Sequence, residues 1–340
     1  MKPSLTRRRA LGFMMAAPVL FSAPSDARTR GVDESGFVPI GGIDQWIAVQ
    51  GRNIENPVIV YLHGGPAEAQ SPLLSEFRPW EGAFTVLNWD QRGSVRTFGK
   101  YGAATPGMGT PQAAFDRLTQ DAIEVAEYAC RHFKKRKVIL VGQSWGSMLG
   151  LRAVKQRPDL FSAYVGTGFV ASWAACTKAR EAWARAQAEG AHDEATIQSL
   201  DSSSKLPISD MRRIMAGRKY LMSRSDLAYL HVQQRLLGRL PKDQLHAWVA
   251  GGQFSIPRLL PLVGSWDPER IGLDFKVPIF VIQGRNDHIT SFEGAKQYIV
   301  EIRAPRKAFI PIDGGHYACF SDPKEFVGTL HKTVRRLAMG

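Results

Sequence analysis

Four short segments hold residue types that together could break an acyl bond. The first is Gly142-Gln143-Ser144-Trp145-Gly146, between an apolar run at 138–141 and a helical run at 145–155. A serine flanked by glycines where a strand turns into a helix sits in a turn too tight for larger neighbours. The hydroxyl is held exposed above the sheet with a helix N-terminus beneath it. Such a hydroxyl is a weak nucleophile and needs a base, itself oriented by a carboxylate. Both groups occur downstream. Residues 279–282 run into Gln283-Gly284-Arg285-Asn286-Asp287-His288, and residues 308–312 run into Asp313-Gly314-Gly315-His316. Each segment ends a strand-like run, and sites in open α/β sheets collect at the carboxyl ends of strands. Ser144 reads as nucleophile, His316 as general base and Asp287 as the orienting carboxylate.

Competing groups fit less well. His288 follows Asp287 too closely to bond it, and Asp313 stands too near His316. His132, His192, His231, His246 and His331 lie in helical or polar contexts that suit structural or solvated roles. The fourth segment, His63-Gly64-Gly65-Pro66, directly follows Val58–Leu62. An acyl transfer needs two backbone N–H donors aimed at the developing oxyanion. Trp145, the residue after the serine, would give one. Gly64 or Gly65 would give the other, with His63 organising the loop.

These segments need a sheet to hold them. Val58–Leu62 and residues 84–89, 138–141, 164–165, 279–282 and 308–312 are apolar, β-branched runs that read as buried strands, and 45–50 is a weaker one. Between two of them, Phe115, Leu118, Ala122, Val125, Ala129 and Phe133 recur every three or four residues, the spacing of an amphipathic helix. Strands alternating with helices predict an α/β fold with a mostly parallel sheet flanked by helices. The alternation stops at 171–265, where Ala, Arg, Gln and Leu dominate, as at 179–191 and 227–240. A helical cap inserted into one catalytic domain, 28–170 with 266–340, is the organisation expected.

Composition sets the remaining bounds. The chain of 340 residues is 44% hydrophobic and 22% charged, which excludes disorder and a polytopic membrane protein. At this length about 75% of the unfolded surface can be buried, so neither disulfides nor a structural metal is needed. Cys130, Cys176 and Cys319 form no CxxC pair, and no cofactor motif or metal-ligand cluster is expected. The net charge is +13. Lys2, Arg7, Arg8 and Arg9 stand against Asp26 alone at the start, leaving +10 for the rest. The basic clusters at 131–137 and 211–219 are short and read as solvated helix ends, not as a nucleic-acid surface.

Taken together the motifs resemble the α/β hydrolases, and within them the prolyl iminopeptidases. The matching pieces are HGGP at 63–66, Trp89-Asp90-Gln91-Arg92-Gly93, GQSWGS at 142–147, GRNDHIT at 284–290 and GGH at 314–316. Ala67 and Gln143 stand where the family usually has glycine. The resemblance implies a Ser144–Asp287–His316 triad, an acyl-enzyme, a small-molecule or peptide substrate and no cofactor. It also implies cap carboxylates that meet a substrate's free amine, for which Glu181, Glu189, Asp210 and Asp226 are available by type. The alternatives are an esterase with an apolar cap, drawing on Trp173, Trp183, Met211 and Met215, and a non-catalytic binding protein of the same fold.

The first 27 residues read as an export signal. A basic stretch with three consecutive arginines precedes an uncharged apolar run at 11–23, which at about 13 residues is too short to span a bilayer. Ser25-Asp26-Ala27 offers a small-x-small cleavage site, and Thr6-Arg7-Arg8-Arg9-Ala10-Leu11 resembles a bacterial twin-arginine signal, with an ordinary Sec signal as the alternative because both have basic starts. The mature protein should therefore begin near Arg28, outside the cytoplasm and with no stable membrane span. N-terminal sequencing of the exported form checks this, and an intact N-terminus on cytoplasmic protein would contradict it.

Overall fold

The structure, a computed structural model, describes residues 30–338. The export signal expected at 1–27 lies outside the described residues. Eight strands form one sheet: β1 (Val32–Ile40), β2 (Ile43–Gly51), β3 (Val58–Leu62), β4 (Thr85–Trp89), β5 (Val138–Gln143), β6 (Phe161–Thr167), β7 (Ile279–Gly284) and β8 (Lys307–Ile312). Their spatial order is β1-β2-β4-β3-β5-β6-β7-β8. The first two ladders, β1–β2 and β2–β4, are antiparallel, and the other five are parallel. The chain order reverses around β3, which has β4 on one side and β5 on the other. Loops leaving β3 and β5 therefore emerge side by side, the place where open α/β sheets form their crevice.

The sheet is apolar on both faces because helices cover both. Val58, Val60, Leu62, Leu140 and Val281 face a core with Phe115, Leu118 and Ala122 of α2 (Pro111–His132), which follows α1 (Val95–Tyr101), and with Met148 and Leu151 of α3 (Trp145–Gln156). The alternate residues Ile59, Tyr61, Ile139, Val141 and Ile282 face a second core with Phe326, Leu330 and Val334. Period-two alternation thus sends neighbouring side chains to opposite cores.

Between β6 and β7 the described chain holds helices and no strand: α4 (Trp173–Gly190), α5 (Glu194–Ser204), α6 (Met211–Met215), α7 (Arg224–Leu237) and α8 (Lys242–Gly264). The two ends of this helical cap are tied together. The Trp266 indole donates to the Val170 carbonyl at 3.0 Å, and the Trp173 N–H donates to the Trp266 carbonyl at 3.2 Å. After β7 come α9 (Phe292–Glu301), α10 (Ala318–Ser321) and α11 (Pro323–Ala338), which carries the Phe326, Leu330 and Val334 of the second core. No described helix is long and apolar enough to cross a membrane.

Two elements depart from the sequence expectation. Strand β1 has no counterpart there, because its residues VDESGFVPI are mostly exposed and carry no apolar run. It forms by pairing with β2 from Val32↔Gly51 to Ile40↔Ile43 at the sheet edge. Strand β6 extends well beyond 164–165, since Ser162, Gly166 and Thr167 are buried in the ladder despite their low apolar content.

Candidate active site

Ser144 stands between β5 and α3 with φ +52° and ψ −118°, a conformation that L side chains rarely adopt. Such strain persists only where the surroundings over-determine it. Here two glycines do so. A Cβ on Gly142 would lie 2.5 Å from the Gly146 carbonyl, and one on Gly146 would lie 2.1 Å from the Leu62 carbonyl. The backbone is pinned further by the Ser144 N–H donating to the Thr167 carbonyl at 3.0 Å. Trp145 opens α3, so its N–H has no partner within the helix and is left for the space beside the serine.

The HGGP loop packs against this turn. A Cβ on Gly64 would meet the Gln143 amide oxygen at 2.1 Å and the Ser144 Cβ at 3.3 Å. Gly65 has φ +110° and lines the same cavity as Ser144, whereas the Gly64 carbonyl is occupied by the His63 ring at 2.8 Å and the Glu68 N–H at 3.2 Å. Burial pushes the His63 imidazole down to about 4, so it is neutral. It donates from Nδ1 and accepts the Gln91 N–H on Nε2 at 3.3 Å. Gln91 in turn binds both loops, donating to the His63 carbonyl at 3.3 Å and accepting the Trp145 indole N–H at 3.0 Å. Arg92, fully buried, forms a bidentate pair with Asp121 at 2.8 and 3.0 Å and donates to the Gly41 and Pro106 carbonyls. The WDQRG segment is therefore scaffold under the turn.

His316 and Asp287 meet as the spacing suggested. His316 Nδ1 lies 3.0 Å from Asp287 Oδ2, with both side chains almost fully buried. Asp287 accepts the N–H groups of Ile289 and Thr290 at 2.9 Å, the Thr290 hydroxyl at 2.8 Å and the Gln283 amide at 2.8 Å. Burial alone would raise its carboxyl, but the His316 charge, its hydrogen bond and the Thr290 bonds outweigh burial and hold it below the usual carboxylate range. Burial would likewise lower His316. The Asp287 charge and hydrogen bond leave it raised instead.

Asp313 and His288 stand apart from this arrangement. The Asp313 side chain is 87% exposed beside Arg285, and His288 stacks on Trp183 with ring centroids 3.9 Å apart.

Ser144, Trp145, Gly65 and His316 line one cavity of about 300 Å³, roofed by the cap. The four cap carboxylates singled out by type are not in it. Glu181 is held by Arg213 at 2.6 Å, Glu189 is exposed beside Arg185, and Asp210 caps α6 and pairs with Arg212 at 2.8 Å. Asp226, fully buried, closes the capping box of α7 and accepts the His316 and Tyr317 N–H groups at 3.0 and 2.8 Å. It positions the histidine loop from the cap. A Cβ on Gly315 would lie 1.9 Å from its carboxylate, which explains the second glycine of GGH. Of the apolar cap residues, Trp173, Met211 and Met215 line the cavity and Trp183 does not.

The carboxylate that does line the cavity is Glu68, four residues beyond Gly64 in the HGGP loop. Among the described residues no hydrogen bond or ion pair reaches its carboxylate, and burial raises it above the usual range despite the Arg218 and His316 charges. Nothing in the sequence singled it out; Ala67 immediately before it adopts φ +72°. Arg180 and Arg218 also line the cavity, so the basic cluster at 211–219 is not wholly a solvated helix end.

The sequence profile of the alpha/beta hydrolase family matches residues 59–329, and the chain belongs to that family. It is 27% identical to the probable aminopeptidase YbaC of Bacillus subtilis (strain 168) over 319 residues, covering 87% of this chain and 94% of that one. A proline iminopeptidase of Arabidopsis thaliana is 30% identical over 111 residues, which cover 32% of this chain and 26% of its own. The fold is shared with a proline iminopeptidase-related protein of Thermus thermophilus, at TM-score 0.60 and 20% identity over 90% of this chain and 99% of that one. The proline iminopeptidase of Mycobacterium smegmatis aligns at TM-score 0.60 and 19% identity over the same shares. The chain is thus an α/β hydrolase that is similar to aminopeptidases and proline iminopeptidases.

The buried pair makes a prediction about protonation. By NMR the His316 imidazole should titrate above the ordinary 6.5, and Asp287→Asn should bring it down, because only the weaker Asp226 charge then opposes burial. A wild-type value at or below 6.5, or no change in the variant, would contradict the assignment.

Proposed function

We propose that the protein is an exported serine aminopeptidase working through an acyl-enzyme. The observation that carries this reading is the lining of one cavity by Ser144, the Asp287-bonded His316 and the unpaired Glu68. Ser144 Oγ attacks the substrate carbonyl while His316 Nε2 takes its proton. Asp287, on Nδ1, stabilises the imidazolium and fixes the ring. The oxyanion receives the N–H groups of Trp145 and Gly65, with Gly64 shaping the approach. His316 then protonates the leaving nitrogen, the C–N bond breaks, and the aminoacyl group stays on Ser144. Water, deprotonated by His316, attacks the ester and releases the amino acid.

Glu68 supplies what an aminopeptidase needs and the cap carboxylates do not. A protonated amine is costly to bury alone, and a partly buried carboxylate without a cation is costly for the same reason. Each relieves the other. The similarity to a probable aminopeptidase along most of both chains points the same way. The export signal read at residues 1–27 supports an activity outside the cytoplasm, on peptides met there.

A second reading, a carboxylesterase, draws on the apolar part of the lining, where Met148, Ile214, Met215 and Val263 would hold an acyl chain. The two separate on one substrate pair. The aminopeptidase should cleave prolyl- or alanyl-anilides with a free amine at least about 10²-fold faster than their N-acetyl forms, and Glu68→Gln should remove most of that ratio. Equal rates on both forms, with faster cleavage of p-nitrophenyl esters, would instead establish the esterase.

A further inference from the structure

The wall of the cavity contributed by α4 holds a cation without a counter-ion. Arg180 is 3% exposed and lines the cavity with Ser144 and His316. Among the described residues it forms no ion pair. The adjacent Glu181 is taken by Arg213 through two hydrogen bonds of 2.6 and 3.1 Å. Among the described residues the Arg180 Nε is buried with no partner, and its guanidinium makes a long 3.4 Å contact from Nη2 to the Arg213 carbonyl. The guanidinium lies over the Trp173 ring, 5.2 Å from the centroid, which holds the plane in place and neutralises nothing. Burial lowers it to about 10, so it remains charged near neutral pH.

A buried guanidinium left with an empty Nε is an unusual arrangement, since such groups are normally paired. Its planar fork matches a carboxylate, which takes two parallel N–H bonds from it. Arg218, partly buried on the same cavity wall and without an ion pair among the described residues, adds a second positive charge. Both cations face the cavity of about 300 Å³ that also holds the nucleophile and Glu68, so an anion bound there shares that small space with the carbonyl attacked.

We propose that Arg180, supported by Arg218, is a carboxylate-recognising subsite, and that the preferred substrate carries a carboxylate close to the bond hydrolysed. This rests on Ser144 being the nucleophile of a hydrolytic site, and it extends that reading from a free amine to a substrate charged at both ends. Two sources fit the same chemistry: the C-terminal carboxylate of a dipeptide leaving group, or an acidic side chain on the acyl residue.

Three substrate pairs, each differing by one carboxylate, test the subsite. They are Ala-Ala against Ala-Ala amide, glutamyl- against glutaminyl-p-nitroanilide, and the p-nitrophenyl monoester of glutarate against p-nitrophenyl valerate. In at least one pair the carboxylate-bearing member should have a kcat/KM about tenfold or more higher. Arg180→Gln should bring that ratio close to one, and Arg180→Lys should keep part of it. The pair that responds identifies the source. A response in the ester pair alone, with no cleavage of either peptide pair, would uphold the subsite and overturn the aminopeptidase reading. Absence of any preference in the wild-type enzyme would overturn the subsite whether or not the variants fold. So would an Arg180→Gln variant that slows both members of a pair equally and leaves their ratio intact.

Discussion

The site depends on how closely two backbone turns approach at the centre of the sheet. β3 and β5 lie side by side, so the loops that leave them meet with no room for side chains between them. Gly146 touches the Leu62 carbonyl, and Gly64 touches the Gln143 amide and Ser144. Any Cβ at Gly142 or Gly146 would fall within 2.5 Å of backbone oxygen. Relaxing that contact would let Ser144 fall back from its strained φ and would separate the Trp145 N–H from the HGGP loop. Gln91 bridges the two loops by hydrogen bonds, and the buried Arg92–Asp121 pair anchors the segment that carries it. Pairs of this kind are costly to break from one side, because the remaining charge is left buried.

A second layer of order comes from the far end of the sheet. Asp287 receives four hydrogen-bond donors besides His316, so its position does not depend on the histidine it orients. Asp226 holds the backbone of His316 and Tyr317 from α7. The cap is therefore coupled to the histidine loop by the same carboxylate that caps its own helix. Movement of α7 would carry the His316 backbone with it and so change the geometry of the base.

Much of this was legible in the sequence because the motifs are local and their glycines have one use. GQSWG between a strand and a helix, HGGP after a strand and GGH after another each describe their own turn. The strands between them are runs of β-branched residues with no competing period. What the sequence hid depends on tertiary contact. β1 is mostly polar and becomes a strand by pairing with β2. Asp226 was one of four cap acids available by type and is a buried acceptor for a loop 90 residues away. Glu68 and Arg180 are ordinary charged residues whose lack of a partner appears only when the cap closes over them.

The central claim is that Ser144 is the nucleophile activated by His316. The most direct test is to react the folded protein with a fluorophosphonate and map the adduct by peptide mass spectrometry. The account predicts a single phosphonylated residue, Ser144, absent in Ser144→Ala and formed at least about 10³-fold more slowly in His316→Ala. An adduct on another residue, or labelling of Ser144→Ala at the wild-type rate, would contradict it.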